Sequence, residues 1–288
     1  MQKTRNDQRT KELESDIVGH YDGSELLTSI ETGLATIGKS SATVTVEDLG
    51  PVDEFHVGGR AATTELCERL GVTHDDHILD VGCGIGGTTR FITELSGCEV
   101  TGVDLAPNYI TIARLLTEWT GLTDRAGYEI ASALDMPFED SSFDKAVQLH
   151  VGMNIADKVA LFREVHRVVR PGGRFGVYDI MRVTDGTIEF PVPWATDASM
   201  SFVEDLSTYG NALELAGFET AEIRSRRQFA VEFFGAMRAN ALAAGGPPPL
   251  GLHLILGKDA STKLANVIDA IDAGVIAPVE IICDKPEA

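Results

Sequence analysis

Residues Ile78-Leu-Asp-Val-Gly-Cys-Gly-Ile-Gly-Gly87 decide the fold. The apolar run 78–81 stops at a glycine cluster, and a helical pattern follows over 88–96. A short continuous apolar run reads as a strand buried on both faces. Glycines at its end let the chain turn tightly and let a ligand approach with no Cβ in the way. Gly82, Gly84 and Gly87 also satisfy G-x-G-x-x-G, which alone is a weak signal. Asp104 follows roughly 20 residues on, at the end of the next predicted strand, where a carboxylate can accept from both hydroxyls of a ribose. These two features suit NAD and S-adenosylmethionine (SAM) equally.

Asp80 separates the two ligands. A dinucleotide sets a doubly anionic pyrophosphate at the helix N-terminus, and a carboxylate beside it repels that group. SAM brings an amino-acid tail and a sulfonium there instead. The competing reading of Asp80 is a cap for the turn or helix.

Outward from this turn the pattern is regular. Strands are predicted over 99–103, 127–131, 143–149 and 174–180, and helices over 108–119 and 157–169, with a turn at Pro171-Gly-Gly173. Strands alternating with helices at this spacing predict a parallel sheet covered on both faces. Upstream, residues 1–16 read as frayed, 17–37 as one helix, and 61–70 as a helix stopped by Gly71. Regularity fails over 181–204, around Pro191-Val-Pro-Trp194, which reads as a lid. It resumes with a helix over 206–216, a strand over 220–224, helices over 230–244 and 258–273, and a strand over 279–283. The expected organisation is an N-terminal helical cap, 1–70, and a ligand-binding domain, 71–288.

The 288 residues carry 24 Lys and Arg against 44 Asp and Glu, a formal charge of −20. Such a surface repels phosphate backbones, so no nucleic-acid partner is expected. Arg224, Arg226 and Arg227 form the nearest basic cluster, read as a solvated edge or a grip on a substrate anion. The four cysteines, Cys67, Cys83, Cys98 and Cys283, have no C-x-x-C spacing and suit a reducing, cytoplasmic setting. No apolar run approaches a membrane span and no signal peptide is visible. No metal ligands cluster, so metal-independent chemistry is expected.

The stretches 78–87, Val103-Asp-Leu105, Ala133-Leu-Asp-Met-Pro-Phe138, Ser142-Phe-Asp144 and Leu161-Phe-Arg-Glu-Val-His-Arg-Val-Val-Arg-Pro-Gly-Gly-Arg174, in this order, resemble the class I SAM-dependent methyltransferases. The likeness covers about residues 73–180. It is nearest to the small-molecule group with the ubiquinone/menaquinone C-methyltransferases, tocopherol methyltransferases, and sarcosine/dimethylglycine and phosphoethanolamine N-methyltransferases. The resemblance implies an α/β, Rossmann-like seven-stranded sheet with its last strand antiparallel, N-terminal helices and a lid insertion. It implies SAM as cofactor, with Gly82, Gly84 and Gly86 along its tail, Asp104 on the ribose and Leu105 on the adenine. Asp135 would accept from the adenine amino group, Met136 would add a backbone contact, and Gln148 would stand beside the amino-acid end.

Methyl transfer needs an aligned nucleophile and, for a hydroxyl or charged amine, a base. Candidates should follow the fourth strand, where His150 and Asn154 stand. His150 is the better base, with a ligand-contacting or structural imidazole as the competing reading. Asn154 could instead cap a helix. The resembling amine methyltransferases often carry Asp and His at these two positions, so the chain departs from them. His56, in Phe55-His-Val-Gly58, resembles a Leu-His-Ile-Gly segment of the dimethylglycine group. Tyr21 is expected in a helix folding over the cofactor, and Trp194 and Phe190 in the lid. An aromatic lid suits a cationic amine, a flat phenol or an isoprenoid. His253 is a weaker candidate for the same pocket. The expected activity is methylation of a small molecule at nitrogen or oxygen. Competing readings are C-methylation, an NAD(P)-dependent oxidoreductase, a non-catalytic SAM-binding protein and a nucleic-acid methyltransferase.

Overall fold

The computed structural model describes residues 2–21 and 25–287, with the backbone alone for 2–9. β1 (His77–Val81), β2 (Glu99–Asp104), β3 (Ala126–Ile130), β4 (Phe143–Leu149), β5 (Val169–Arg182), β6 (Glu219–Ser225) and β7 (Ile276–Asp284) form one sheet. Its order is β3-β2-β1-β4-β5-β7-β6. The first five strands run parallel, and β7 runs antiparallel to both β5 and β6. The seven strands and the inverted last one match the expectation. Chain order reverses between β1 and β4, so a crevice opens beyond their carboxyl ends.

Upstream of β1 come α1 (Gln2–His20), α2 (Leu26–Thr36), α3 (Val46–Asp53) and α4 (Gly59–Leu70). α5 (Gly87–Ser96), α6 (Pro107–Trp119), α7 (Lys158–Val168) and α8 (Leu206–Ala216) flank the sheet. α9 (Arg227–Ala244), α10 (His253–Leu256) and α11 (Ala260–Asp272) join β6 to β7. Phe162 and Val165 of α7, Phe143 of β4, and Phe175 and Val177 of β5 form the centre of the largest apolar cluster. Each such side chain contributes roughly 1.5–3 kcal/mol on burial.

Four expectations change. Residues 2–16 are helical rather than frayed, because the far half of α1 lies over a cavity described below. The predicted helix 17–37 is two helices; residues 22–24 between them lie outside the described residues. α3 falls where the sequence pattern marked no helix, and Thr45 and Asp48 form a reciprocal capping box at its start. Pro171-Gly-Gly173 is not a turn before β5 but lies within it. Val169 pairs with Phe143, the register shifts, and pairing resumes at Arg174.

The irregular segment is a packed wall rather than a loose flap. Val192 and Ala195 are fully buried, and Trp194 is nearly so. They pack with Ala230 and Phe234 of α9 and Val267 and Ile271 of α11. Burying this much apolar surface fixes the segment against the second half of the chain.

Candidate active site

Gly82, Gly84 and Gly86 all have left-handed backbone, with φ of 73°, 55° and 81°. A Cβ on Gly82 would collide with the Val151 side chain. Asp104 closes the turn: its Oδ2 accepts from Gly84 N at 2.9 Å and its Oδ1 from Ala106 N at 2.9 Å. Asp80 lies beneath, buried, accepting from Thr89 Oγ1 of α5 at 2.7 Å. Burial pushes its carboxyl up to about 7. Asp80 therefore anchors the helix and does not line the cavity.

A cavity of about 200 Å³ opens at this turn. Gly82, Gly84, Asp104, Leu105, Leu134 and His150 line its floor and sides. Leu13, Ile17 and Val18 of α1, with Tyr21 just past its end, cover it, and Ser132 Oγ donates to Glu14 Oε1 at 2.5 Å. Asp53 reaches it because α3 ends against the start of α5, where a Cβ on Gly87 would strike Asp53. Asp53 Oδ1 accepts from Arg90 Nη2 at 2.7 Å, with both side chains fully buried. Asp53 Oδ2 is buried and has no partner among the described residues.

A second cavity of about 50 Å³ adjoins the first, and Tyr21, Phe55, His56 and His150 line both. Its remaining wall includes Met153, Trp194, Phe234 and Val267. His150 sits at φ 56°, unusual for a side chain of its size. Asp179, fully buried in β5, holds the loop that follows β4. It accepts from Val151 N at 2.8 Å, Gln148 Nε2 at 2.7 Å and Tyr209 Oη at 3.1 Å, and from Gly152 N. Asp179→Ala would leave those N–H groups unpaired, so a loss of about 3 kcal/mol in urea unfolding is expected. Asp179→Asn keeps an acceptor, and roughly 1 kcal/mol is expected. Equal losses for the two variants would contradict this role.

His56 is buried with its partner fixed. Nε2 lies 3.1 Å from Gly59 O and 3.0 Å from Thr63 Oγ1, and Thr63 Oγ1 donates to Glu54 Oε2 at 3.5 Å. A carbonyl only accepts, so Nε2 carries the proton and Nδ1 keeps the lone pair. Burial pushes His56 down to about 4 and Glu54 up to about 8. Burial likewise holds His150 well below the ordinary imidazole range. At neutral pH both imidazoles are therefore free bases. Their rings meet edge-on with centroids 6.1 Å apart.

The structure brings together Tyr21, His56, Gly82, Gly84, Asp104, Leu105, His150 and Asn154 at the first cavity, and Trp194 at the second. It leaves out Gly86, where an added Cβ would meet Tyr128 and Arg90, and Gln148, which is held by Asp179. Asp135 is exposed, and Ser132, Ala133 and Leu134 take the wall position expected of it. Met136 points into the core, and its N–H donates to Glu164 Oε1 at 2.7 Å, so its backbone contact is already engaged. Asn154 also links two covers: Oδ1 accepts from Tyr21 Oη at 3.2 Å and Nδ2 donates to Trp194 O at 2.8 Å. Phe190 packs beside the second cluster, and neighbours of His253, not His253 itself, reach the cavities.

The arginine cluster is structural. Arg224 and Arg226 both pair with Glu65, Arg226 stacks on Phe229, and Arg227 donates to Ile271 O and Asp272 O. All four cysteines are buried and unbridged. Among the described residues no three His, Cys, Asp or Glu are grouped to hold a metal ion, and no helix is long and apolar enough to cross a membrane.

A methyltransferase-domain family model matches residues 79–177. The chain is 30% identical over 181 residues to the methyltransferase GfsG of Streptomyces halstedii, covering 61% of this chain and 64% of that one. It is 28% identical over 236 residues to an O-methyltransferase of Pyrenophora dematioidea, covering 81% and 86%. The chain spans less than two thirds of the length of most curated relatives it matches. The [4+2]-cyclase SpnF shares the fold, with a TM-score of 0.65, 22% identity and coverage of 92% and 94%. In its matched domain, its relatives and its sheet with an inverted last strand, the chain is similar to the class I SAM-dependent methyltransferases.

Proposed function

We propose that the chain transfers a methyl group from SAM to nitrogen or oxygen of a small molecule. The observation that carries this reading is the meeting of two cavities across Tyr21, Phe55, His56 and His150. One is built for the donor and the other takes an acceptor.

The first cavity fits SAM chemically. Asp104 supplies a carboxylate for ribose hydroxyls, and Leu105 and Leu134 give apolar walls for an adenine. The unpartnered Asp53 Oδ2 suits the ammonium of an amino-acid tail. When bound, SAM supplies an electrophilic methyl on a sulfonium, whose bond to sulfur breaks as the acceptor's lone pair takes the carbon. The protein's part is to align the acceptor, exclude water under α1, and remove a proton. His56 Nδ1 can take it, and the Nε2–H bonds to Gly59 and Thr63 hold the ring in that tautomer. The fold alone does not decide the chemistry, since a [4+2]-cyclase shares it.

Two measurements test the reading. Calorimetric titration with S-adenosylhomocysteine (SAH) is expected to show one site. Asp104→Ala is expected to weaken it by about 2–3 kcal/mol, roughly 30- to 150-fold. Labelled SAM incubated with a cell extract should then put label into a small organic product. Tight SAH binding with no labelled product would turn the reading to a binding protein on this fold. Label in protein or nucleic acid would overturn the acceptor class.

A further inference from the structure

The second cavity has an unusual polar inventory. Among its described lining residues none carries a charge at neutral pH. Its obvious polar atoms are already engaged: Tyr21 Oη donates to Asn154, and Trp194 Nε1 donates to Ser201 Oγ at 2.9 Å. His56 Nε2 is held by Gly59 O. What remains open is imidazole nitrogen. His150 Nε2 is buried with no partner among the described residues, and His56 keeps the lone pair on Nδ1.

Nearby cations are held elsewhere. Lys158 Nζ donates to Ile155 O at 2.5 Å and to Phe202 O at 2.9 Å, and Arg226 is paired with Glu65. Among the described residues nothing on the wall can neutralise a phosphate or carboxylate. An ammonium fares no better. The burial that strips the proton from His56 and His150 also disfavours any other cation there, and no carboxylate among the described residues lines the cavity to oppose it. A hydroxyl both donates and accepts, so it satisfies an imidazole nitrogen in either tautomer, whereas a phosphate dianion only accepts and an ammonium only donates.

We infer that the second cavity selects an uncharged, largely apolar acceptor presenting a hydroxyl to His56 and His150, and rejects phosphorylated and ammonium-bearing molecules. The inference rests on this cavity being the acceptor site of the methyl-transfer reading. Aromatic and aliphatic side chains from many parts of the chain (Phe55, Met153, Trp194, Phe234, Leu264 and Val267 among them) grip the apolar body.

The test uses probes that share one ring and differ in charge. SAH-loaded protein is titrated with 4-methylphenol, 4-methylphenyl phosphate and 4-methylbenzylammonium, with binding read by ligand-observed NMR. The phenol is expected to bind at least about tenfold more tightly than either charged probe. Val267→Trp fills the second cavity without touching the first. It should remove phenol binding while leaving SAH affinity unchanged, which also reports that the variant is folded. A charged probe binding as tightly as the phenol overturns the inference, as does phenol binding that survives Val267→Trp, or no binding of any probe. Failure of SAH to bind is a separate outcome that strikes the cofactor reading, and the same three titrations on the unloaded protein then still decide the selectivity.

Discussion

Arg90→Leu is expected to lose about 3–5 kcal/mol of stability, among the largest effects of any single substitution here. The guanidinium is fully buried and donates to Asp53 Oδ1, Ala113 O and Thr117 Oγ1. Removing it leaves Asp53 buried with no partner on either oxygen, close to Glu54. In a chain of this size that loss lowers Tm by about 10 °C. The deficit should also depend on pH. Burial already raises the Asp53 carboxyl, and Arg90 is the main force opposing it. Without Arg90 the folded-state value rises further above the unfolded one. Such a group gives stability that is present at low pH and lost as pH rises. The deficit is therefore expected to be smaller near about pH 5 than near about pH 8. Urea unfolding at both values checks this, and Asp53→Asn in the Arg90→Leu background should recover part of the loss at the higher pH. A deficit of equal size at both values would sink the assignment of the cost to an unpaired carboxylate.

His56→Ala is expected to lower kcat for methyl transfer by about 10²–10⁴ while changing SAH affinity far less. The ring lines both cavities, its tautomer is fixed, and its Nδ1 lone pair is free. The pH profile carries the sharper test. An ordinary imidazole base halves the rate near about pH 6.5 as it takes up a proton. Burial pushes His56 down to about 4, so its free base survives until pH falls that far. Activity is therefore expected to stay flat from about pH 7.5 to about 5.5 in single-turnover measurements. A larger loss in His150→Ala than in His56→Ala would move the base to His150. A midpoint near about 6.5 would mean the site admits more water than its burial implies.

The sheet was legible because its strands are short apolar runs punctuated by glycine, and parallel strands need such runs. β1, β4 and α8 fall within a residue of their predicted bounds for that reason. The floor of the first cavity was partly legible too, since the glycine turn and Asp104 are local in sequence. Asp53 escaped because its place depends on α3 lying against Gly87, a contact across 34 residues of chain that no spacing rule encodes. The signal that was there is the Thr45-x-x-Asp48 capping box, which marks the start of the helix that carries Asp53 at its far end. Asp179 escaped because a carboxylate near the end of an apolar strand reads the same whether it faces water or gathers backbone N–H groups. Met136 and Asp135 were placed by resemblance one step too far along, because the chain turns at Ser132 and sends Met136 into the core. The wall of the second cavity was the least legible part. Phe233, Phe234, Leu264 and Val267 come from helices far along the chain, and their periodicity says only that they are buried.

Tyr21, Asn154 and Trp194 form a chain of hydrogen bonds from the helix over one cavity to the segment walling the other, and His20 Nε2 adds a contact to Pro193 O at 3.2 Å. The two cavities thus share a single latch: what holds the cover of one also holds the wall of the other, so a disturbance at Asn154 reaches both.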